Sequence, residues 1–73
     1  MMNLLEVPIG VIVRLNSVEA RLRSKLMQYG LHIGDQMRVL RSAPLGGPLL
    51  VEVNGREIAL GRRVAEKIFV EAA

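Results

Sequence analysis

Residues 18–34, VEARLRSKLMQYGLHIG, have the pattern of a short amphipathic helix that ends at a glycine. Leu22 and Leu26 are four residues apart, so in a helix they lie on the same face. Ser17 is a suitable N-cap, because its hydroxyl can accept a hydrogen bond from a free backbone N–H of the first turn. The segments on both sides have the pattern of β-strands. The sequence therefore predicts one helix carried by a small, strongly curved sheet.

The end of this predicted helix is also marked in the sequence. Gly30 can adopt the left-handed backbone conformation just past the last turn, and Leu31 can then fold back onto Leu26. Met27 and Tyr29 fall outside the apolar stripe of the helix. These two side chains are therefore the first candidates for a functional contact.

The rest of the chain divides into short strands separated by turn residues. Residues 11–16 alternate in polarity, as a half-buried strand does. Asn54-Gly55 is the typical central pair of a type I′ hairpin turn, and the two prolines and two glycines of residues 44–48 favour a loop. The predicted strands are residues 11–16, 36–42, 49–53, 56–60 and 68–71, with a single helical turn at residues 62–67.

Five short strands in a flat sheet would leave hydrophobic edges exposed. A sheet that curls on itself, with the helix as a plug between strands one and two, hides both faces and most edges. The sequence therefore predicts a mainly β fold, a small SH3-like barrel of about five strands, with a single helical turn before the last strand. Its length of 73 residues predicts a single domain over residues 1–73.

Composition narrows the classes of function. The chain has no cysteine, which excludes disulfides, thiolate metal sites and cysteine nucleophiles. Hydrophobic residues make up 51% of the chain, but it has only one Tyr, one Phe and no Trp, so the core must be aliphatic. No apolar stretch approaches the roughly 20 residues of a membrane span, and the N-terminal segment lacks the basic region of a signal peptide. We expect a soluble, cytoplasmic protein without membrane insertion.

No set of residues has the spacing of a catalytic, cofactor or metal site. His32 is the single histidine and is expected in a turn, and the seven Asp and Glu residues are scattered. Hard cations need several converging oxygen ligands, which this scatter does not provide. Gly46-Gly47 belongs to neither of the common glycine-rich phosphate motifs. We expect no enzymatic activity, no cofactor and no metal ligands in this chain.

The positive charge leaves a nucleic-acid-binding barrel as an alternative. The net charge is +3, and eight of the ten basic residues are arginines. Arg14, Arg38 and Arg41 could form a stripe across neighbouring strands. Binding of single strands usually requires aromatic side chains beside the charge, and only Tyr29 and Phe69 are present. This hypothesis is therefore weaker than that of a protein partner.

A protein partner would suit the apolar residues around the helix end and the loop at residues 44–48. Met27, Tyr29, Leu31 and Leu45 are more apolar than a typical surface, and Met and Tyr are favoured at interfaces. The same residues could instead cover a thin core. The two interpretations are compatible, because residues that cover a core can also contact a partner.

The order of these segments resembles the ferrous iron transport protein A (FeoA) family over nearly the whole chain. The most characteristic pieces are the helix–Gly–Leu step, the Ala-Pro-Leu-Gly loop and the Ile-Ala-Leu strand. No single piece is specific, but their succession is. The matching segments are residues 8–10, 23–31, 33–34, 37–48, 51–55, 58–60 and 65–70.

The resemblance implies an SH3-like barrel of the bacterial or archaeal cytosol that assists FeoB, the membrane GTPase that imports Fe(II), without enzymatic activity of its own. Similar domains also form the C-terminus of metal-dependent repressors of the diphtheria toxin repressor type. Because the chain starts with Met and has no DNA-binding helices, we expect the free-standing form. If metal enters the function, we expect it to do so through the partner. Weak self-association through an open strand edge is also possible.

The predicted contact with the cytoplasmic part of FeoB lies at the helix end and the loop at residues 44–48. Apolar side chains would make the contact, and two basic side chains would steer it from the rim. The predicted docking residues are Arg23, Lys25, Leu26, Met27, Tyr29, Leu31 and Leu45.

Overall fold

The computed structural model describes residues 1–73, and its main element is a six-stranded antiparallel sheet. The strands are β1 (Met2–Asn3), β2 (Ile12–Val18), β3 (Gln36–Ser42), β4 (Leu49–Val53), β5 (Arg56–Leu60) and β6 (Ile68–Ala72). The helices are α1 (Ala20–Arg23) and α2 (Arg62–Ala65), together with 3-10 helices at Leu4–Glu6 and Leu26–Tyr29. The strands follow the order β1-β6-β2-β3-β4-β5 across the sheet.

The predicted mainly β, SH3-like architecture is confirmed. β3, β4 and β5 have the predicted bounds, the helical segment connects β2 to β3, and α2 precedes the last strand. The sheet has one more strand than expected, because the short β1 pairs with β6 through Met2 and Val70. No local sequence pattern predicts this strand, because its partner, β6, lies at the other end of the chain.

The predicted N-cap at Ser17 is wrong. Ser17 belongs to β2 and pairs with Phe69 of β6, and the register between these strands shifts between Leu15 and Ser17. The cap position of α1 is Glu19, whose side chain makes no capping hydrogen bond. Strand pairing with a distant segment therefore moves the start of the helix two residues along the chain.

The predicted helix is divided into two short pieces. α1 comprises four residues and ends at Ser24, and the chain then continues as the 3-10 helix Leu26–Tyr29. Leu22 and Leu26 nevertheless share the buried face, as predicted. Hence the apolar spacing identified the inward face correctly although the helix is not continuous.

The glycine end of the helical segment is confirmed. Gly30 has φ 74°, and its N–H donates to the carbonyl of Met27 at 3.0 Å. The N–H of Leu31 donates to the carbonyl of Leu26 at 3.1 Å. This pair of hydrogen bonds is the Schellman arrangement, which satisfies two carbonyls at the end of a helix. It also turns Leu31 into the core, where its side chain is 1% exposed.

The core is a single cluster of 17 buried hydrophobic residues and includes no buried polar or charged residue. Its members come from the inward faces of the strands, from the helical segment between β2 and β3, and from α2. The N-terminal segment adds Leu4 and Val7. Val13 of β2, Met37 of β3 and Val51 of β4 are all buried. Since the interior is aliphatic, any recognition of a ligand must use the surface.

The hairpin between β4 and β5 has the predicted type I′ turn. Asn54 has φ 52° and Gly55 has φ 77°, the two positive values that this turn requires. None of the helices is long and apolar enough to cross a membrane.

We expect Leu31→Ala to lower the free energy of unfolding by about 2–4 kcal/mol, because it leaves a cavity beneath the helix end. Ile33→Ala, two residues away, removes a side chain that is 59% exposed and should change stability by less than about 0.5 kcal/mol. Urea denaturation of both variants measures the difference. Equal effects of the two substitutions would contradict the assignment of Leu31 to the core.

Candidate docking surface

Two residues of the predicted docking set are buried. Leu26 is 7% exposed and Leu31 is 1% exposed, and both belong to the core cluster. The reversal at Gly30 directs Leu31 inward, and Leu26 shares the buried face of the helical segment with Leu22. Their side chains therefore pack inside the barrel and have almost no surface to offer a partner.

Three predicted residues, Arg23, Lys25 and Met27, are exposed on the helical segment. Met27 is 78% exposed, which is high for a large apolar side chain, and Arg23 is also exposed. Arg23 is the last residue of α1, and Met27 lies in the 3-10 helix that follows. The helical segment therefore presents apolar and cationic side chains to the solvent.

Lys25 and Tyr29 line a different feature, a groove of about 220 Å³ between the helical segment and α2. Tyr29 is half-buried and packs against the core, so it forms part of the groove wall. Its position there supports both interpretations of the sequence, a cover for the core and a contact residue. The residues of this basic groove are Arg21, Leu22, Lys25, Tyr29, Arg63, Val64 and Lys67.

Leu45 occupies the tip of a tight turn between β3 and β4. It has φ 58°, Gly46 has φ 74°, and the N–H of Gly47 donates to the carbonyl of Pro44 at 3.1 Å. Two successive positive φ values with this hydrogen bond form a type I′ turn. We call residues 44–47 the Leu45 turn.

The side chain of Leu45 is fully exposed, at 104% of its reference area. The left-handed backbone conformation costs a non-glycine residue about 1–2 kcal/mol. Leucine has no polar group that could compensate through a local hydrogen bond, as Asn or Asp does. The turn therefore holds an apolar side chain away from the core in a backbone conformation that disfavours it.

Residues of α2 approach both the Leu45 turn and the basic groove. The Nε of Arg62 lies 4.0 Å from the place that a Cβ on Gly46 would occupy. The next two residues, Arg63 and Val64, line the groove. Both features thus adjoin the same four-residue helix.

A second depression, of about 380 Å³, lies beside the Leu45 turn on β3, β4 and β5. Four of its eight lining residues are hydrophobic, which extends the apolar character of the turn onto the sheet. The lining residues are Arg41, Ser42, Ala43, Pro44, Pro48, Leu49, Leu50 and Ala59.

The titratable side chains form no recognisable reaction centre. His32 is exposed, its backbone N–H donates to Asp35 Oδ2 at 2.8 Å, and its Nδ1 lies 3.6 Å from the same oxygen. This contact caps the turn that leads into β3. No three His, Cys, Asp or Glu side chains lie close enough together to hold a metal ion.

Three cations of the basic groove, Arg21, Arg63 and Lys67, were not among the predicted docking residues. The four-residue spacing of Arg21 and Lys25 could have grouped those two on one flank of the helix. No local signal could have added Arg63 and Lys67, because they lie about 40 residues further along the chain and reach the groove only through the packing of α2.

Residues 2–72 match the model of one protein family, the FeoA domain. A Methanocaldococcus jannaschii protein named "Putative Fe(2+) transport protein A" is 35% identical to this chain over 63 residues. That alignment covers 86% of this chain and 74% of the M. jannaschii protein.

Solved structures resemble the whole barrel. The solution structure of iron(II) transport protein A from Clostridium thermocellum has a TM-score of 0.86 at 32% identity, over 99% of this chain and 46% of that chain. This chain thus spans about half the length of that relative. The FeoA protein of Chlorobium tepidum has a TM-score of 0.83 at 40% identity, over 97% of this chain and 70% of that chain.

The barrel also resembles part of a larger protein. The manganese-activated repressor ScaR has a TM-score of 0.86 at 28% identity, over 99% of this chain and 35% of that chain. The likeness therefore concerns about a third of the repressor.

Substitutions at Leu45 and Asn54, the two non-glycine residues with positive φ, test the strain in the Leu45 turn. We expect Leu45→Asn to raise the free energy of unfolding by about 0.5–1 kcal/mol, because Asn tolerates the left-handed conformation better than Leu. Asn54→Leu, in the equivalent position of the other type I′ turn, should lower it by a similar amount. Chemical denaturation measures both. Destabilisation by Leu45→Asn would contradict the presence of strain.

Proposed function

The chain belongs to the FeoA family, which is connected with Fe(2+) transport, and on this basis we propose that it is an accessory protein that docks on the cytoplasmic part of the membrane GTPase FeoB. Docking would regulate the nucleotide turnover of FeoB or assist its assembly. The chain itself would perform no chemical step.

The observation that carries this proposal is the conformation of Leu45. A fully exposed leucine with φ 58° contributes nothing to the core and destabilises its own turn. Backbone strain of this kind is typical of functional contacts, where a partner supplies the compensating interaction. We propose that Leu45 inserts into an apolar pocket of FeoB.

A stable interface needs more surface than the Leu45 turn alone provides. A standard protein–protein interface buries about 800 Å² on each partner, which is about a sixth of the 4608 Å² surface of this chain. One leucine cannot supply that area. We therefore propose that the interface also includes α2 and the helical segment, with Met27 as a second apolar contact and Arg23 and Lys25 as steering charges at the rim.

The charges of the sheet favour a protein partner over nucleic acid. Of the three arginines that could form a stripe for phosphates, Arg38 donates from Nε to Glu52 Oε1 at 2.7 Å across β3 and β4. Arg14 lies opposite Glu71 in the register of β2 and β6. Acidic neighbours at two of the three positions reduce the attraction of this face for a phosphate backbone.

Full-length FeoB from the same genome, in lipid nanodiscs, provides the test. We expect Leu45→Glu and Met27→Glu each to weaken binding about tenfold or more, because each places a charge in an apolar contact. The matched control is Ile12→Glu, which makes the same change at a side chain that is 51% exposed on the outer face of β2. A titration of each variant by biolayer interferometry measures the dissociation constants.

The control should bind within about twofold of the unmodified chain, since its position lies outside the proposed contact. Equal weakening by all three variants would show an effect of net charge and would contradict the proposed surface. Binding to a random oligonucleotide but not to FeoB would contradict the proposed partner.

A further inference from the structure

The basic groove combines four cations with no carboxylate. Arg21 and Lys25 lie on one side and Arg63 and Lys67 on the other, and no acidic residue lines the groove. Guanidinium groups bind carboxylates through paired N–H donors, and ammonium groups act as compact point charges. The groove therefore has the chemistry of a site for an anionic ligand.

None of these four cations is neutralised within the chain. The acid–base contacts of the structure are those of His32 with Asp35 and of Arg38 with Glu52. The groove cations also donate no side-chain hydrogen bond to another part of the protein. The four cations therefore give the groove a positive potential that attracts anions.

The wall and floor of the groove are apolar. Leu22 is buried, Val64 is half-buried, and the ring of Tyr29 lies beside them. A small inorganic anion would use the cations but not these surfaces. A ligand that carries both carboxylates and aliphatic carbon would use both, and glutamate-rich peptide has this combination.

The neighbouring acids disfavour an extended polyanion. The backbone N–H of Glu19 donates to the carbonyl of Lys67 at 3.0 Å, and Glu66 directly precedes Lys67. Both glutamates are exposed, and both lie beside this end of the groove without lining it. A phosphate backbone that continued past the groove at this end would meet two carboxylates, whereas a short peptide could end inside it. A single tyrosine also provides little stacking for successive bases.

From these observations we propose that the basic groove binds a short acidic peptide segment, and that such a segment on the docking partner occupies it. This inference rests on the proposed function for the identity of the partner but not for the chemistry of the groove. It adds an electrostatic contact in the basic groove to the apolar contact of Leu45.

Hexaglutamate is the probe for the chemistry of the groove, and ¹H–¹⁵N NMR titration is the measurement. We expect saturable shift changes that are concentrated in residues 20–29 and 62–67, with Arg63→Glu weakening binding about tenfold. Arg41→Glu is the matched control, because it makes the same charge change at an exposed arginine outside the groove. It should weaken binding by less than about threefold.

Two results would overturn the proposal. Equal weakening of hexaglutamate binding by Arg63→Glu and Arg41→Glu would show that the binding depends only on the net charge of the chain. Tighter binding of a dT12 oligonucleotide than of hexaglutamate at the same salt concentration, with shift changes in the groove, would assign the groove to nucleic acid.

Removal of one charge at each of two positions, Arg63→Gln in the groove and Arg14→Gln on β2, separates the inference from the proposed function when both variants are titrated against FeoB in nanodiscs. If FeoB binds the unmodified chain and Arg63→Gln weakens that binding more than Arg14→Gln does, both are supported. If FeoB binds but the two variants do not differ, the proposed occupant of the groove is wrong and the proposed function stands. If hexaglutamate binds in the groove and FeoB does not bind at all, the groove chemistry stands and the proposed partner is wrong.

Discussion

The left-handed backbone of Gly30 is the constraint on which the rest of the structure depends. It ends the helical segment, and it allows the N–H of Leu31 to reach the carbonyl of Leu26 while the leucine side chain enters the core. The guanidinium of Arg56 donates to the carbonyl of Gly30 at 3.1 Å and ties this reversal to the start of β5. In a chain of 73 residues, where the core is thin, this single reversal fixes the helical segment against the sheet.

The same arrangement determines which surfaces remain available. Because the core is aliphatic and includes no polar or charged residue, a partner must contact the surface, and the proposed contact lies around α2. The Leu45 turn holds its leucine outward and approaches Arg62 of α2, and the four cations of the basic groove lie between α2 and the helical segment. An apolar contact beside a cationic one suits a protein partner, since the first supplies affinity and the second supplies orientation and rate of association.

Most of the sheet could be predicted because its turns and its inward faces are determined by residues that are close together in the sequence. The Asn54-Gly55 turn fixes the register of β4 and β5, and the alternation of side chains identifies the inward faces. The errors share a different cause, which is contact between distant segments. Pairing of Ser17 with Phe69 moved the start of the helix, pairing of Met2 with Val70 added a strand, and the packing of α2 completed the groove. The inclusion of Leu31 among the docking residues has another cause, because the local reversal at Gly30 is what turns its side chain into the core.

The central claim is that the chain contacts FeoB through the surface around α2, and cross-saturation NMR tests it most directly. The chain would be deuterated and ¹⁵N-labelled, full-length FeoB would be held in nanodiscs, and saturation of FeoB protons would be detected on the amides of the chain. The account predicts signal loss concentrated in residues 25–29, 43–47 and 61–67. Signal loss concentrated in residues 12–14 and 36–38, on the outer face of β2 and β3, would contradict it.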